Sequence, residues 1–417
     1  MATLVSEARQ DELGAPIDVS RAALWSENLF APLFARLRAE DPVHFCPDSA
    51  FGPYWSIARH ADIAQVEALP HVFSSSWEYG GITILGDGKP LWGGELLPMF
   101  IAMDRPEHTG QRRTVAPAFT PSEMTRLMPS LRVRTEALID ALPVGEDFDW
   151  VDRVSIELTT QMLAILFDFP WEERRKLTYW SDWAGDLEGA RDPVTGPQRL
   201  AVMHECGAFF TRLWQERLAA GQRPDLISMM IHSEATRAMT PAEYLGNILL
   251  LIVGGNDTTR NSMSALPLVN ARWPEEWAKL KANRELIPNA AQELIRWQTP
   301  LAHMRRTATE DHEIGGKTIR AGDKVVLWYM SGNRDEDMFA DAERFIADRD
   351  NARRHLAFGF GIHRCVGARL AELQLAILLE TLLESGLMPV QTGESERVNN
   401  CFVHGYRALP ARLERVS

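Results

Sequence analysis

The run that begins at Thr240 constrains this chain more than any other feature. Thr240-Pro241-Ala242-Glu243 reads as a helix start: a hydroxyl cap, proline at the first helical position and a glutamate two residues on. The segment after it, YLGNILLLIVGGNDTTRNSMSALPLV, is apolar nearly all round. A helix without a polar face has to be covered on every side, so the rest of the chain must be built around it. The middle of that helix breaks its own pattern with Gly254, Gly255, Asn256, Asp257, Thr258 and Thr259. Each interior glycine costs about 1 kcal/mol against alanine. Two glycines, an amide, an acid and two threonines at the centre of a buried helix mark a functional site rather than a packing solution. The threonine hydroxyls are expected to open or kink the helix there. Pro267 is expected to kink or end it near Met263–Ala265.

A second segment carries chemistry. Phe358-Gly359-Phe360-Gly361-Ile362-His363-Arg364-Cys365-Val366-Gly367 runs straight into the helical sequence ARLAELQLAILLETLL. Alternating glycines let a backbone pass close to a flat ligand. A cysteine just before a helix start meets free N–H groups and a positive helix end, which favour a thiolate. The bland alternative is a glycine-rich turn with an incidental cysteine. Cys46, Cys206 and Cys401 take the bland reading, as small buried hydrophobes. The four cysteines have no zinc-type or covalent-haem spacing.

The remaining sequence is mostly helical with a minority of short strands. Phe51–Ala58 reads as a strand leading into a short helix, and Ser76–Pro98 as a long irregular loop. Residues Pro121–Glu234 are mainly helical, broken at Pro170, Gly196–Pro197 and Pro224. A helix is expected over Pro288–Trp297, a hairpin over Ile314–Ile319 and a strand over Lys324–Tyr329. Gly367–Glu384 is a helix stopped by Gly386 and Pro389. No repeat or linker divides residues 1–417, so one catalytic domain is expected. The net charge of −13 argues against nucleic acid and anionic membranes as partners. Residues 1–16 have no apolar signal core, and Ile248–Val253 is far too short to span a bilayer. A cytoplasmic protein with no stable membrane anchor is expected.

Phe358–Gly367 resembles the haem-binding loop of the cytochrome P-450 superfamily, and three further motifs stand in that family's order. Asp104–Arg113, DRPEHTGQRR, is similar to its DPPxHxxxRR segment, with Arg105 where proline is usual. Asp257 and Thr258 match its acid–alcohol pair, which moves protons during oxygen activation. Glu293-Leu294-Ile295-Arg296 matches its ExxR pair, with Arg349 as the third, structural member. The resemblance implies a mainly α, triangular helical fold with a smaller β portion. Haem b (iron protoporphyrin IX) would lie between the central helix and the cysteine helix. Cys365 would be the iron ligand, Phe358 and Gly367 would flank the macrocycle, and His108, Arg112, Arg306 and His363 would hold its propionates. The resemblance implies a monooxygenase that inserts one atom of O2 into a C–H bond.

The strings GGNDTTRNSM, FGPYWS and GGITI narrow the likeness to the bacterial branch that hydroxylates terminal methyl groups of alkanes and fatty acids. Family positions place Ile82, Ile84, Leu250, Val253, Gly254, Leu301, Ala302, Phe402 and Val403 around a linear aliphatic substrate. An apolar wall suits such a chain. No flavin or nicotinamide domain fits in this length, so electrons are expected from a ferredoxin and its reductase. Arg112, Arg113, Arg353, Arg354 and Arg364 are candidates for the docking patch. Oxidation of a terpene or other cyclic substrate is the alternative. A haem-thiolate binding protein without turnover and a peroxide-driven enzyme are less consistent with the acid–alcohol pair.

Overall fold

A computed structural model describes residues 17–86, 94 and 96–416. The expectations for residues 1–16, and for positions 87–93 and 95 of the long loop, lie outside the described residues.

The helix start at Thr240 forms as its residue types dictate. Thr240 Oγ1 accepts from Glu243 N at 3.2 Å, and Glu243 Oε2 accepts from Thr240 N at 2.8 Å. The central helix then runs unbroken over Pro241–Ser264. The helix does not open at the threonines: Thr258 Oγ1 donates to Gly254 O at 2.7 Å, a bond within the helix of the kind that tends to bend it. Pro267 falls in the first turn of the next helix, Leu266–Arg272, where a missing N–H costs nothing. The two halves of the central helix belong to different cores. Ile248, Leu249 and Ile252 pack with Leu163, Phe167 and Phe210. Met263, near the end of the helix, packs with Leu294, Ile295 and Leu378 and with Leu266 and Val269 of the next helix.

The two central glycines have separate reasons. A Cβ on Gly255 would come within 2.7 Å of Leu163 Cδ2, so glycine lets helix Glu157–Phe167 cross close by. A Cβ on Gly254 would meet nothing within 4 Å. Gly254 therefore faces open space.

A five-stranded sheet lies beside the helices. Its strands, in spatial order, are Val43–Cys46, Tyr54–Ile57, Lys324–Leu327, Met304–Ala308 and Phe73–Ser74. The expected strand over residues 324–329 stops at Leu327, and Tyr329–Gly332 turns into a short helix. The hairpin pairs His312–Ile314 with Lys317–Ile319. Its turn residues Gly315 and Gly316 have φ of 57° and 76°, which glycine adopts freely. Pro389 does not mark a stop: it sits inside strand Leu387–Gln391, at the edge of a sheet with Asp147–Asp149 and Pro410–Arg415. An edge strand tolerates a missing N–H. No helix among the described residues is long and apolar enough to cross a membrane.

Glu293 and Arg296 lie on helix Ile287–Gln298, and both side chains are fully buried. Arg296 Nε and Nη2 donate to the Glu293 carboxylate at 2.6 and 2.8 Å. The remaining guanidinium hydrogens reach the carbonyls of Asn333, Ala342 and Arg344. Arg349 Nε also donates to Glu293, at 2.9 Å. Every donor of Arg296 is therefore used, three of them on backbone that has no other regular structure.

Two stability outcomes follow from this packing. Arg296→Ala should cost about 3–5 kcal/mol, because it strands a buried carboxylate. Arg296→Lys should recover little of that loss, since one ammonium cannot replace a planar fork. Gly254→Ala should stabilise by about 0.5–1 kcal/mol, whereas Gly255→Ala should gain less because Leu163 has to move. Denaturant unfolding midpoints check both. A loss under about 1 kcal/mol for Arg296→Ala, or equal gains at both glycines, would contradict the packing described.

Candidate functional site

A cavity of about 1010 Å³ lies between the central helix, the cysteine loop and helix Thr195–Ala220. Cys365 borders it, just ahead of helix Ala368–Glu384. The loop is shaped by its glycines: Gly359 and Gly361 have φ of 66° and 67°. A Cβ on Gly361 would sit 2.5 Å from the Glu67 carbonyl oxygen. Cys365 N donates to Phe358 O at 2.7 Å, closing the turn. Cys365 is deep in the protein, yet its surface is open because it faces the cavity.

Burial raises the Cys365 thiol pKa, and it outweighs the Gly367 N–H, Arg112 and Arg364, which act the other way. The helix start alone therefore does not deliver the expected thiolate. A metal cation on the sulfur would, since coordination deprotonates a thiol outright.

His108 and His363 stand at one edge of the cavity with ring centroids 4.3 Å apart. Their four ring nitrogens are buried and have no hydrogen-bond partner among the described residues. Burial, then Arg112, pushes His108 down to about 4; burial, then Arg306, pushes His363 down to about 2. Arg112 and Arg306 border the same cavity. Buried polar nitrogens without partners are rare and call for a ligand or water. Two imidazoles and two guanidiniums beside a cavity-facing thiol fit haem: the basic groups would hold its two carboxylates and Cys365 would bind its iron. Phe358 and Gly367 also border the cavity.

Sequence reasoning missed a residue at this edge. Glu67, from helix His60–Glu67, reaches into the cysteine loop. Its Oε1 accepts from Arg306 Nη2 at 3.1 Å and from the Tyr329 hydroxyl at 2.5 Å. Its Oε2 accepts from Phe360 N at 2.8 Å. Three distant segments meet at one buried carboxylate, and no local motif signals such a meeting.

On the facing wall, Asp257 and Thr258 both border the cavity. Asp257 Oδ1 accepts from Ser181 Oγ and Asn256 Nδ2, each at 2.9 Å. Arg260 Nη2 lies 3.0 Å from the same oxygen, and Arg260 Nη1 lies 2.8 Å from Asp182, whose side chain is 53% exposed. Burial raises the Asp257 pKa, and Arg260 offsets only part of that. This chain of charged groups links the cavity wall to the surface. Ser181, Asp182 and Arg260 were also missed; the string TTRN contains Arg260, and its i,i+3 spacing from Asp257 was the available signal.

Ile82, Leu250, Val253, Gly254, Leu301, Phe402 and Val403 border the cavity. Ile84 and Ala302 do not: both are fully buried in the core against the sheet. Leu301 pairs with Val403 across an isolated bridge, so the next residue, Ala302, points the opposite way. Ile84 is turned inward by the bend at residues 82–85, and its N–H donates to His303 Nε2.

Residues 200–402 match the profile of the cytochrome P-450 family. CYP153D17 from Sphingomonas sp. PAMC 26605 superposes with a TM-score of 0.91 at 57% identity, covering 95% of this chain and 99% of that one. A linalool 8-monooxygenase of Pseudomonas putida is 37% identical over 404 residues, 94% of this chain and 97% of the relative. A methyl-branched lipid omega-hydroxylase of Mycobacterium bovis is 31% identical over 416 residues, 95% of this chain and 94% of the relative. The motif order, the fold and these relatives agree: the chain belongs to the cytochrome P-450 family and is one of its monooxygenases.

Proposed function

We propose that this monooxygenase hydroxylates the terminal methyl group of a linear alkane or fatty acid. The observation that carries the reading is the cavity itself: it borders Cys365 and is lined by the apolar Ile82, Leu250, Val253, Leu301, Phe402 and Val403. Similarity to a relative named an omega-hydroxylase supports it. Haem, when bound through the Cys365 thiolate, would supply dioxygen activation and transfer of one oxygen atom. The chain's own residues do the rest. Arg112, Arg306, His108 and His363 hold the macrocycle at its carboxylates. Apolar side chains exclude water and aim the substrate.

Asp257 is the proton source in this reading. A buried acid with a raised pKa keeps its proton closer to neutral pH than an exposed one does. Arg260 and Asp182 connect it to bulk water, but Arg260 cannot itself give up a proton. Reloading therefore needs Arg260 or a water to shift. Thr258 holds its hydroxyl hydrogen on Gly254 O and can turn it toward the cavity. Thr258→Ala should go on consuming reduced nicotinamide while releasing more hydrogen peroxide per product. Asp257→Asn should slow turnover by about 10²-fold with little change in substrate binding. Equal coupling in the Thr258 variant would sink the relay.

Electrons come from a separate ferredoxin with its reductase in this reading. Arg113, Arg353, Arg354 and Arg364 are exposed near the cysteine loop of an otherwise acidic protein. Arg112 is half-buried and turned toward Arg364 O instead. A second reading, oxidation of a terpene, is favoured by the relative named linalool 8-monooxygenase.

Product analysis separates the two readings. A primary C–H bond is stronger than the secondary bond beside it, so terminal attack requires a cavity that presents only the chain end. A preference of ten to one needs about 1.4 kcal/mol beyond the bond bias. Ile82, Leu301 or Phe402 changed to Ala should move product toward the penultimate carbon and keep turnover. Mid-chain alcohols from the parent, or a preference for cyclic terpenes over every linear substrate, would overturn the terminal reading.

A further inference from the structure

Three arginines border the cavity among the described residues: Arg112, Arg199 and Arg306. Arg306 is paired with Glu67 at 3.1 Å. Arg112 Nη2 donates to the Arg364 carbonyl, and with haem bound its charge would be met by a haem carboxylate. Arg199, on helix Thr195–Ala220, has no carboxylate within ion-pair distance among the described residues. Its Nε donates to Trp183 O at 2.8 Å and its Nη2 to Ala184 O at 3.0 Å. Those carbonyls belong to the last turn of helix Arg175–Gly185, which has no helical donor left for them. Asp186 is the acid that acts on Arg199, from beyond ion-pair distance, and it offsets only part of the effect of burial. Asp186 Oδ1 accepts from Gly189 N at 2.9 Å as the cap of helix Leu187–Arg191.

The two carbonyls fix the direction of the guanidinium without cancelling its charge. Arg199 is part-buried at the cavity wall, and burial holds its pKa below the ordinary arginine value. The side chain stays cationic all the same, because a guanidinium does not deprotonate in proteins. A part-buried cation with no carboxylate in direct contact is left incompletely compensated. Nη1 makes no hydrogen bond to the described protein, and the side chain borders the cavity. The next cavity-facing positions on the helix, Leu200 and Met203, are apolar. A fixed cation with free donors, followed by an apolar wall, is the recognition pattern of an amphipathic anion.

We propose that Arg199 anchors the carboxylate of a linear fatty acid, so that the chain's other end extends along the apolar wall toward Cys365. The proposal rests on the terminal-hydroxylation reading and deepens it, by choosing the fatty acid over the alkane.

The test is equilibrium binding to the haem-loaded enzyme, read by optical titration with dodecanoate and with its methyl ester. The parent should bind the carboxylate at least about tenfold more tightly than the ester, within the range for a charge-assisted hydrogen bond. Arg199→Gln can still donate to a helix carbonyl but carries no charge. It should bring the two affinities within about twofold of each other and leave ester binding nearly unchanged. Arg199→Lys should restore part of the preference. An unchanged ratio in Arg199→Gln overturns the proposal. So does a parent that binds ester and acid alike, a result that needs no variant to fold. Product position on dodecane is read separately: internal alcohols there would remove the terminal reading and leave the binding ratio interpretable.

Discussion

The buried pairing of Glu293 with Arg296 is the interaction on which the site depends. It is bidentate, and Arg349 completes it on the far side of the same carboxylate. Its consequence runs through the backbone. Arg296 Nη1 binds Asn333 O, and Asn333 uses its side chain in two directions. Asn333 Nδ2 donates to Thr299 Oγ1 at 2.9 Å, and Asn333 Oδ1 accepts from Leu356 N at 2.6 Å. Leu356 O accepts from Gly359 N at 2.7 Å, and Phe358 O accepts from Cys365 N. The backbone of Cys365 is thus tied, through hydrogen bonds and the short covalent stretches between them, to a charge pair on another helix. A hydrophobic replacement of similar volume could match the pair's contribution to stability. It could not position the cysteine loop, because it would make none of those directed bonds.

The central helix solves the opposite problem. It must be apolar enough to lie between two cores and polar enough to bring an acid to the cavity. Gly255 lets a neighbouring helix come close, whereas Gly254 keeps a stretch of helix surface bare. The acid is tolerated because Ser181, Asn256 and Arg260 all converge on one of its oxygens. Arg260 in turn borrows charge from Asp182 at the surface. The buried carboxylate is therefore compensated through an exposed one.

What the sequence made legible was local. The capping box, the stop before Pro267, the hairpin glycines and the cysteine loop each depend on residues a few positions apart. The apolar character of the central helix also forecast its burial. Long-range meetings were not legible. Glu67 joins Arg306, Tyr329 and Phe360 across 239, 262 and 293 positions, and nothing in the helix that carries it announces a buried acid. Ile84 and Ala302 failed for a related reason: whether a residue faces a cavity or a core depends on the local chain direction. The polar and apolar labels at those positions do not encode that direction. The rotation between Leu301 and Ala302 is set by the bridge to Val403, 102 positions away by their numbers.

The cavity's charges sort the two ends of a bound molecule. Near Cys365, Arg306 is offset by Glu67 and Asp257 by Arg260, and a haem carboxylate would offset Arg112. Along helix Thr195–Ala220, Arg199 has only neutral carbonyls. A chain with one anionic end meets a favourable field at Arg199, whereas at the Asp257 wall it meets another carboxylate. Its apolar end has no such preference and takes whatever wall is left. Orientation then follows from the desolvation cost of a single group, with the apolar wall contributing affinity in either direction. A hydrocarbon without that group would feel the same wall and no field. It could enter either end first at equal cost, and being symmetric it would present a methyl group to Cys365 in both cases. On the proposed reading, one cavity would accept both substrate types for terminal attack, while only the charged one would be held in a fixed direction.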